Sequence, residues 1–137
     1  MITEIAQNEN DLPFIAKLLL EHLGTRKVVA FYGEMGAGKT TFISALLRAM
    51  GITEIDGSPT YGFVQTYESP MYGTVHHFDM YRINNVEEAF DIGFEEYIYS
   101  DAYSFIEWPS NVAELLPDDI VEVSISLNSE GDRVFQW

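Results

Sequence analysis

The stretch GEMGAGKT at residues 33–40 constrains this chain more than any other part of its sequence. It fits G-x-x-x-x-G-K-[ST] without a mismatch, the pattern of a loop that wraps phosphate groups. The chemistry asks for these residue types. Gly33, Gly36 and Gly38 are expected to turn the backbone with positive φ, so that successive N–H groups converge on phosphate oxygens. A helix must follow, because its positive dipole end favours the same anion. Lys39 reaches the β- and γ-phosphates as a point charge, and the Thr40 hydroxyl is a hard oxygen ligand for magnesium. The flanks agree with this reading. Val28, Val29, Ala30 and Phe31 form an apolar strand leading in, and Phe42, Leu46 and Leu47 share one face of a helix leading out.

The charge balance narrows the partners. Twenty-two acids against seven bases leave a net charge of −15. Only Arg26 and Lys27 are adjacent among the bases, whereas tight nucleic-acid binding needs arrays of Lys and Arg replacing counterions. Direct gripping of RNA or DNA is not expected. The acidity is either a solvated surface or a face that docks a basic protein. There is no cysteine, which excludes disulfides and thiolate zinc sites. No apolar run nears the roughly 20 residues of a membrane span, and the start lacks a basic secretory region, so cytoplasmic residence without membrane contact is expected.

At 137 residues, with 47% of them apolar, a single domain covering 1–137 is expected. Leu12 to Leu23 reads as a helix with Ile15, Leu18, Leu19 and His22 on one face, stopped by Gly24. Arg26 to Tyr32 is a buried strand, and a second helix runs from about Thr40 to Met50, closed by Gly51. Phe63 to Glu68 and Thr74 to Met80 form two strands joined by a turn at residues 69–73. Short helices are placed at Val86 to Phe90 and Phe94 to Tyr99, and another strand at Tyr103 to Ile106. Ile120 to Leu127 pairs with Arg133 to Gln136 across residues 128–132. Helices alternating with strands imply a parallel core, and the hairpins imply antiparallel additions. The expected fold is α/β: three layers, P-loop NTPase-like, with a sheet of mixed direction.

A phosphate loop of this kind needs a carboxylate from a neighbouring strand to hold magnesium or its waters, and such ligands gather at the carboxyl ends of strands. Two acids stand there. Glu107 follows the apolar run Tyr103-Ser104-Phe105-Ile106. Asp79 ends Val75-His76-His77-Phe78-Asp79, where period-2 geometry puts His77, Asp79 and Tyr81 on one face. Either acid alone is equally a solvated strand end. His77 alone reads as a satisfied core histidine and Trp108 as packing. Ser58-Pro59-Thr60-Tyr61 reads first as an ordinary turn, although hydroxyls in such a loop can sense a γ-phosphate.

Together these residues are specific. GEMGAGKTTF (33–42), SPTY (58–61), HHFDMYR (76–82), FDIGFEEY (90–97) and IEWP (106–109) occur in the order and spacing of the TsaE family, which the chain resembles over nearly its whole length. These are bacterial P-loop ATPases of the tRNA threonylcarbamoyladenosine pathway. The resemblance implies that Gly33 and the loop Gly36, Ala37, Gly38, Lys39, Thr40 and Thr41 hold the phosphates of ATP. It implies that Thr40 and Glu107 hold Mg2+, and that Asp79 serves catalysis or stands in the metal's second shell, with Lys39, Arg82 and a switch-like Thr60 as further catalytic residues. It implies an adenine between Glu9 and Gly131. TsaB- and TsaD-like partners would carry the tRNA, so that tRNA is met only through the complex.

Two other readings stay open from the residues. A small-molecule P-loop kinase would need several arginines around the transferred phosphoryl, and only Arg82 and Arg133 lie outside the core strand and helix. A GTP switch commonly carries N-K-x-D, and no lysine here follows an asparagine.

Overall fold

The computed structural model describes residues 1–59 and 62–137. Seven strands form one sheet: β1 (Thr3–Ala6), β2 (Val28–Tyr32), β3 (Val64–Ser69), β4 (Gly73–Asp79), β5 (Tyr103–Glu107), β6 (Val121–Leu127) and β7 (Arg133–Gln136). Their spatial order is β1-β7-β6-β2-β5-β4-β3. The centre is parallel, with β2 between β5 and β6 and β4 beyond β5. The two hairpins β3–β4 and β6–β7, and the edge strand β1 on β7, are antiparallel. The mixed sheet expected from the sequence is present.

Helices cover both faces. Alternation within the buried strands sends Val29, Phe31, Val75, Phe105 and Val123 to one side, where they meet α1 (Leu12–Leu23) and α2 (Lys39–Ala49). Val28, Phe78 and Ile106 go to the other side, against α3 (Val86–Asp91), α4 (Phe94–Ile98) and a 3-10 segment at Pro109–Leu115. This is the three-layer α/β arrangement. Phe31 joins α2 to the sheet directly behind the phosphate loop, edge-on to Phe42 at 6.2 Å and to Phe105 at 6.0 Å. Such pairs add about 0.5–1.5 kcal/mol each beyond their buried area, so the loop sits on a stiff base.

Several local expectations need correction. The buried stripe of α1 is Leu12, Ile15, Ala16, Leu19 and Leu23, while His22 is exposed. Its ring lies 6.4 Å from that of Trp137, so it covers the C-terminal residue from outside. Strand β4 stops at Asp79, so Tyr81 lies past the strand, where it still lines the same cavity as Asp79 and packs its ring 4.9 Å from that of Trp108. Among the three glycines, Gly36 (φ 82°) and Gly38 (φ 105°) turn the chain in the left-handed region. Gly33 does not, and its reason for being glycine is space: a Cβ there would lie 2.7 Å from the Ile125 carbonyl oxygen. Strand β1 was not anticipated. Among the described residues, no helix is long and apolar enough to cross a membrane.

Candidate nucleotide site

The phosphate loop leaves β2 at the carboxyl end of the parallel core and enters α2, as ligand sites in such sheets require. Gly38 is the N-cap of α2, and among the described residues no side chain caps this end. The first N–H to close a helical bond is that of Phe42, on the Gly38 carbonyl at 2.9 Å. The amides of Lys39, Thr40 and Thr41 therefore stand at a helix N-terminus without helical partners, the donor set an anion seeks. Ala37 is tied back to the Glu34 carbonyl at 3.0 Å and buried, which holds the loop's curvature.

Pairing then brings the acids to this loop. The registers Asp79↔Glu107 and Glu107↔Phe31 put the last residues of β4 and β5 in one row beside the end of β2. His77, Asp79 and Glu107 all face the α2 side. The Thr40 hydroxyl reaches both carboxylate oxygens of Glu107, at 2.9 and 3.0 Å, and donates its single hydrogen there. His77 Nε2 lies 2.7 Å from Glu107 Oε2. Asp79 is held by the Tyr81 amide, which donates to Oδ1 at 3.1 Å. Ser58 Oγ stands 3.4 Å from Thr40 Oγ1, at the limit of hydrogen-bond reach.

Lys39 is folded over its own loop. Its ammonium donates to the carbonyls of Gly33 and Glu34 and lies 4.0 Å above the Trp108 ring. Burial pushes the amine below the ordinary 10.5 of a lysine, while the charges of Glu107 and Asp79 hold part of that fall back. Contact with phosphate requires the ammonium to exchange these carbonyl oxygens for phosphate oxygens. Trp108, beneath that ammonium, is more than packing. It has a backbone φ of 56°, unlike every other non-glycine residue described.

The cavity above the loop has a volume of about 500 Å³ and is lined by Gly36, Gly38, Lys39, Thr40, Thr41, Ser58, Asp79, Arg82, Glu107, Trp108 and Arg133, among others. A second cavity of about 200 Å³ adjoins it and contains Glu9, Gly131, Gly38, Thr41 and Arg133. Gly38, Thr41 and Arg133 line both, so a ligand anchored at the loop can extend from one into the other. Of the residues expected at the site, Lys39, Thr40, Asp79, Arg82 and Glu107 come together in the first cavity, and Glu9 and Gly131 in the second. Gly33 and Ala37 line neither, since they shape the loop from beneath. Thr60 and Tyr61 lie outside the described residues.

Arg133 was missed. Its Nε would lie 3.2 Å from a Cβ placed on Gly38, so the guanidinium crosses the mouth of the loop. No motif surrounds it, and only the order β7-β6-β2 puts it there. His77 is a core residue but not a fully satisfied one, and its spacing of two from Asp79 is the signal in the sequence that it faces Glu107.

The residues fit magnesium. A hydroxyl that gives its hydrogen to Glu107 keeps its lone pairs for a cation, and a buried carboxylate stands beside it. Magnesium is ordinarily held by one or two protein oxygens together with phosphate and water, which matches this sparse set. An apolar strand, a glycine-rich loop, a helix with free N-terminal amides and a strand-end carboxylate facing its first hydroxyl define a P-loop nucleotide-binding protein. Residues 6–135 match the family model described as Threonylcarbamoyl adenosine biosynthesis protein TsaE, and the chain belongs to that family. A Treponema pallidum protein named tRNA threonylcarbamoyladenosine biosynthesis protein TsaE is 37% identical over 106 residues, 77% of each chain. Its Rickettsia felis namesake is 33% identical over 131 residues, covering 95% of this chain and 75% of its own. The crystal structure of Bacillus subtilis YdiB superposes with a TM-score of 0.76 at 24% identity, covering 98% of this chain and 82% of that one. At that identity the likeness concerns the fold.

Proposed function

We propose that this chain is the ATP-binding and hydrolysing subunit required for forming threonylcarbamoyladenosine next to the tRNA anticodon, working in the cytoplasm as a single domain. The observation that carries the enzymatic part is the contact between the Thr40 hydroxyl and Glu107 at the mouth of the phosphate loop. Family membership supports the pathway.

In this reading the amides from Gly36 to Thr41 and the Lys39 ammonium hold the phosphates of ATP. Thr40 and Glu107 hold Mg2+, which supplies Lewis-acid stabilisation of charge on the phosphoryl oxygens. Asp79, fixed by the Tyr81 amide, orients the attacking water from the open side of the cavity. Arg82 and Arg133 add positive charge where the transition state gathers negative charge. Thr60 is the residue that responds to the γ-phosphate. The nucleoside lies toward Glu9 and Gly131, across Gly38.

TsaB- and TsaD-like proteins are the partners, and tRNA is reached only through them. The −15 net charge supports that division, since a subunit without a basic face does not grip RNA itself. The test is phosphate release from ATP and Mg2+, first with the free chain and then with both partners. Slow release that rises by about 10³-fold or more when partners complete the site supports the reading. Full turnover by the free chain, or a phosphorylated metabolite in place of free phosphate, refutes it.

A further inference from the structure

His77 is more than 98% buried and sits one pleat below the row that carries Asp79 and Glu107. Buried polar groups are ordinarily hydrogen-bonded, so a satisfied core histidine would have partners on both ring nitrogens. This one has a partner on one. Nε2 contacts Glu107 Oε2 at 2.7 Å, while Nδ1 has no hydrogen-bond partner among the described residues. A carboxylate accepts, so Nε2 is the donor of this contact, and Nδ1 is the ring nitrogen left without a partner. The fold tolerates an unpartnered nitrogen to keep that single contact.

The contact fixes the carboxylate. Among the described residues Glu107 has two side-chain donors, the Thr40 hydroxyl from α2 and the His77 N–H from β4. Two donors from different elements set both the rotation and the tilt of the carboxylate plane. One donor alone leaves the plane free to swing about the Thr40 contact. We infer that His77 is a positioning residue: it holds the Glu107 carboxylate in the orientation that receives magnesium at the loop. The inference rests on the proposed role of Glu107. Partners of this kind, which touch a metal's ligand and not the metal, commonly govern affinity by about 10–100-fold.

His77→Gln and His77→Asn separate this from a packing role. A glutamine amide reaches the position of Nε2 and can donate to Glu107, whereas asparagine stops near Nδ1 and cannot. Calorimetry gives ATP affinity with EDTA and with magnesium for each variant. The expected result is unchanged affinity in EDTA throughout. The strengthening by magnesium should be kept in His77→Gln and reduced by about tenfold or more in His77→Asn. Equal magnesium dependence in both variants overturns the inference. Glu107→Gln is the control: if it leaves magnesium coupling intact, the metal role of Glu107 fails as well. If it abolishes coupling while the His77 variants match the parent, only the positioning role fails. A measurement on the unaltered protein covers variants that do not fold. The Nε2 proton of His77, one of three histidines, should shift when magnesium joins ATP-bound protein and shift less when ATP is added alone. A resonance that ignores magnesium overturns the inference.

Discussion

The glycines of the phosphate loop look equivalent in the motif but serve different physical needs, and substitutions should separate them. At Gly33 the need is space. A Cβ there would sit 2.7 Å from the Ile125 carbonyl oxygen and 3.2 Å from the Ala37 Cβ, both fixed by backbone. Neither neighbour is a flexible side-chain end, so Gly33→Ala must push the loop away from β6. Overpacking of this kind costs about 1–3 kcal/mol. A chain of this length has an unfolding entropy of roughly 0.3 kcal/mol per degree, so the melting temperature should fall by about 3–10 °C. At Gly36 the need is conformation. Its φ is 82° and nothing stands within 4 Å of the added Cβ. Gly36→Ala should cost about 1–2 kcal/mol, whereas asparagine visits this region readily and Gly36→Asn should cost much less. Thermal unfolding of the nucleotide-free protein by circular dichroism reads the difference. Gly33→Asn should be as damaging as Gly33→Ala or worse, while Gly36→Asn rescues Gly36→Ala. A Gly33→Ala protein melting within a degree of the parent would refute the contact argument. Equal losses in Gly36→Asn and Gly36→Ala would refute the conformational one.

Two further outcomes follow from the site. Burial lowers the pKa of Lys39, so the protonated form that attracts phosphate is lost at a lower pH than for an exposed lysine. ATP affinity should be full below the depressed value and fall as pH rises through it, before 10.5 is reached. The stability of the nucleotide-free protein should rise over the same window, because the unfolded chain binds this proton more tightly. Lys39→Arg, which stays charged, should lack the alkaline fall in affinity whatever its absolute level, and a fall at the same pH in that variant would assign the effect elsewhere. Asp79→Asn should lower hydrolysis by about a hundredfold while ATP affinity stays within a few fold, as judged by single-turnover rates and calorimetry, since the phosphate-binding amides are untouched. Affinity that collapses with the rate would make Asp79 a binding residue.

What the sequence made legible was local. The loop, both helices flanking β2, the hairpins at residues 69–73 and 128–132, and the acids at the strand ends all follow from spacing and turn chemistry within a dozen residues. Strand β1 escaped because Thr3-Glu4-Ile5-Ala6 is short and at the sheet edge, with only Ala6 buried. Its partner, β7, lies at the other end of the chain. Arg133 escaped for the same reason at longer range. Its approach to Gly38 depends on β7 pairing β6 and β6 pairing β2, and no window of sequence contains both ladders.

The same reasoning shows where the site's accuracy comes from. Glu107 meets Thr40 only because β5 pairs β2 and β4 in one register, and a slip of one residue would turn its carboxylate to the opposite face. Ile106 and Asp79 would then be the groups contending for the loop. The residues that forbid the slip carry no chemistry. Phe78 and Ile106 are fully buried on the far side of the sheet, and Phe78 packs edge-on against Phe94 at 5.0 Å and Tyr97 at 5.5 Å. Shifting the register would place Glu107 in that apolar layer without a donor, at a cost of several kcal/mol for the buried charge. The segment FDIGFEEY ends α3 and forms most of α4, whose Phe94 belongs to this layer, so its presence beside the phosphate-loop motifs has a physical basis. It locks the sheet from the side opposite the phosphate loop, and the alignment of Thr40, Glu107 and His77 is set by that lock as much as by the loop itself.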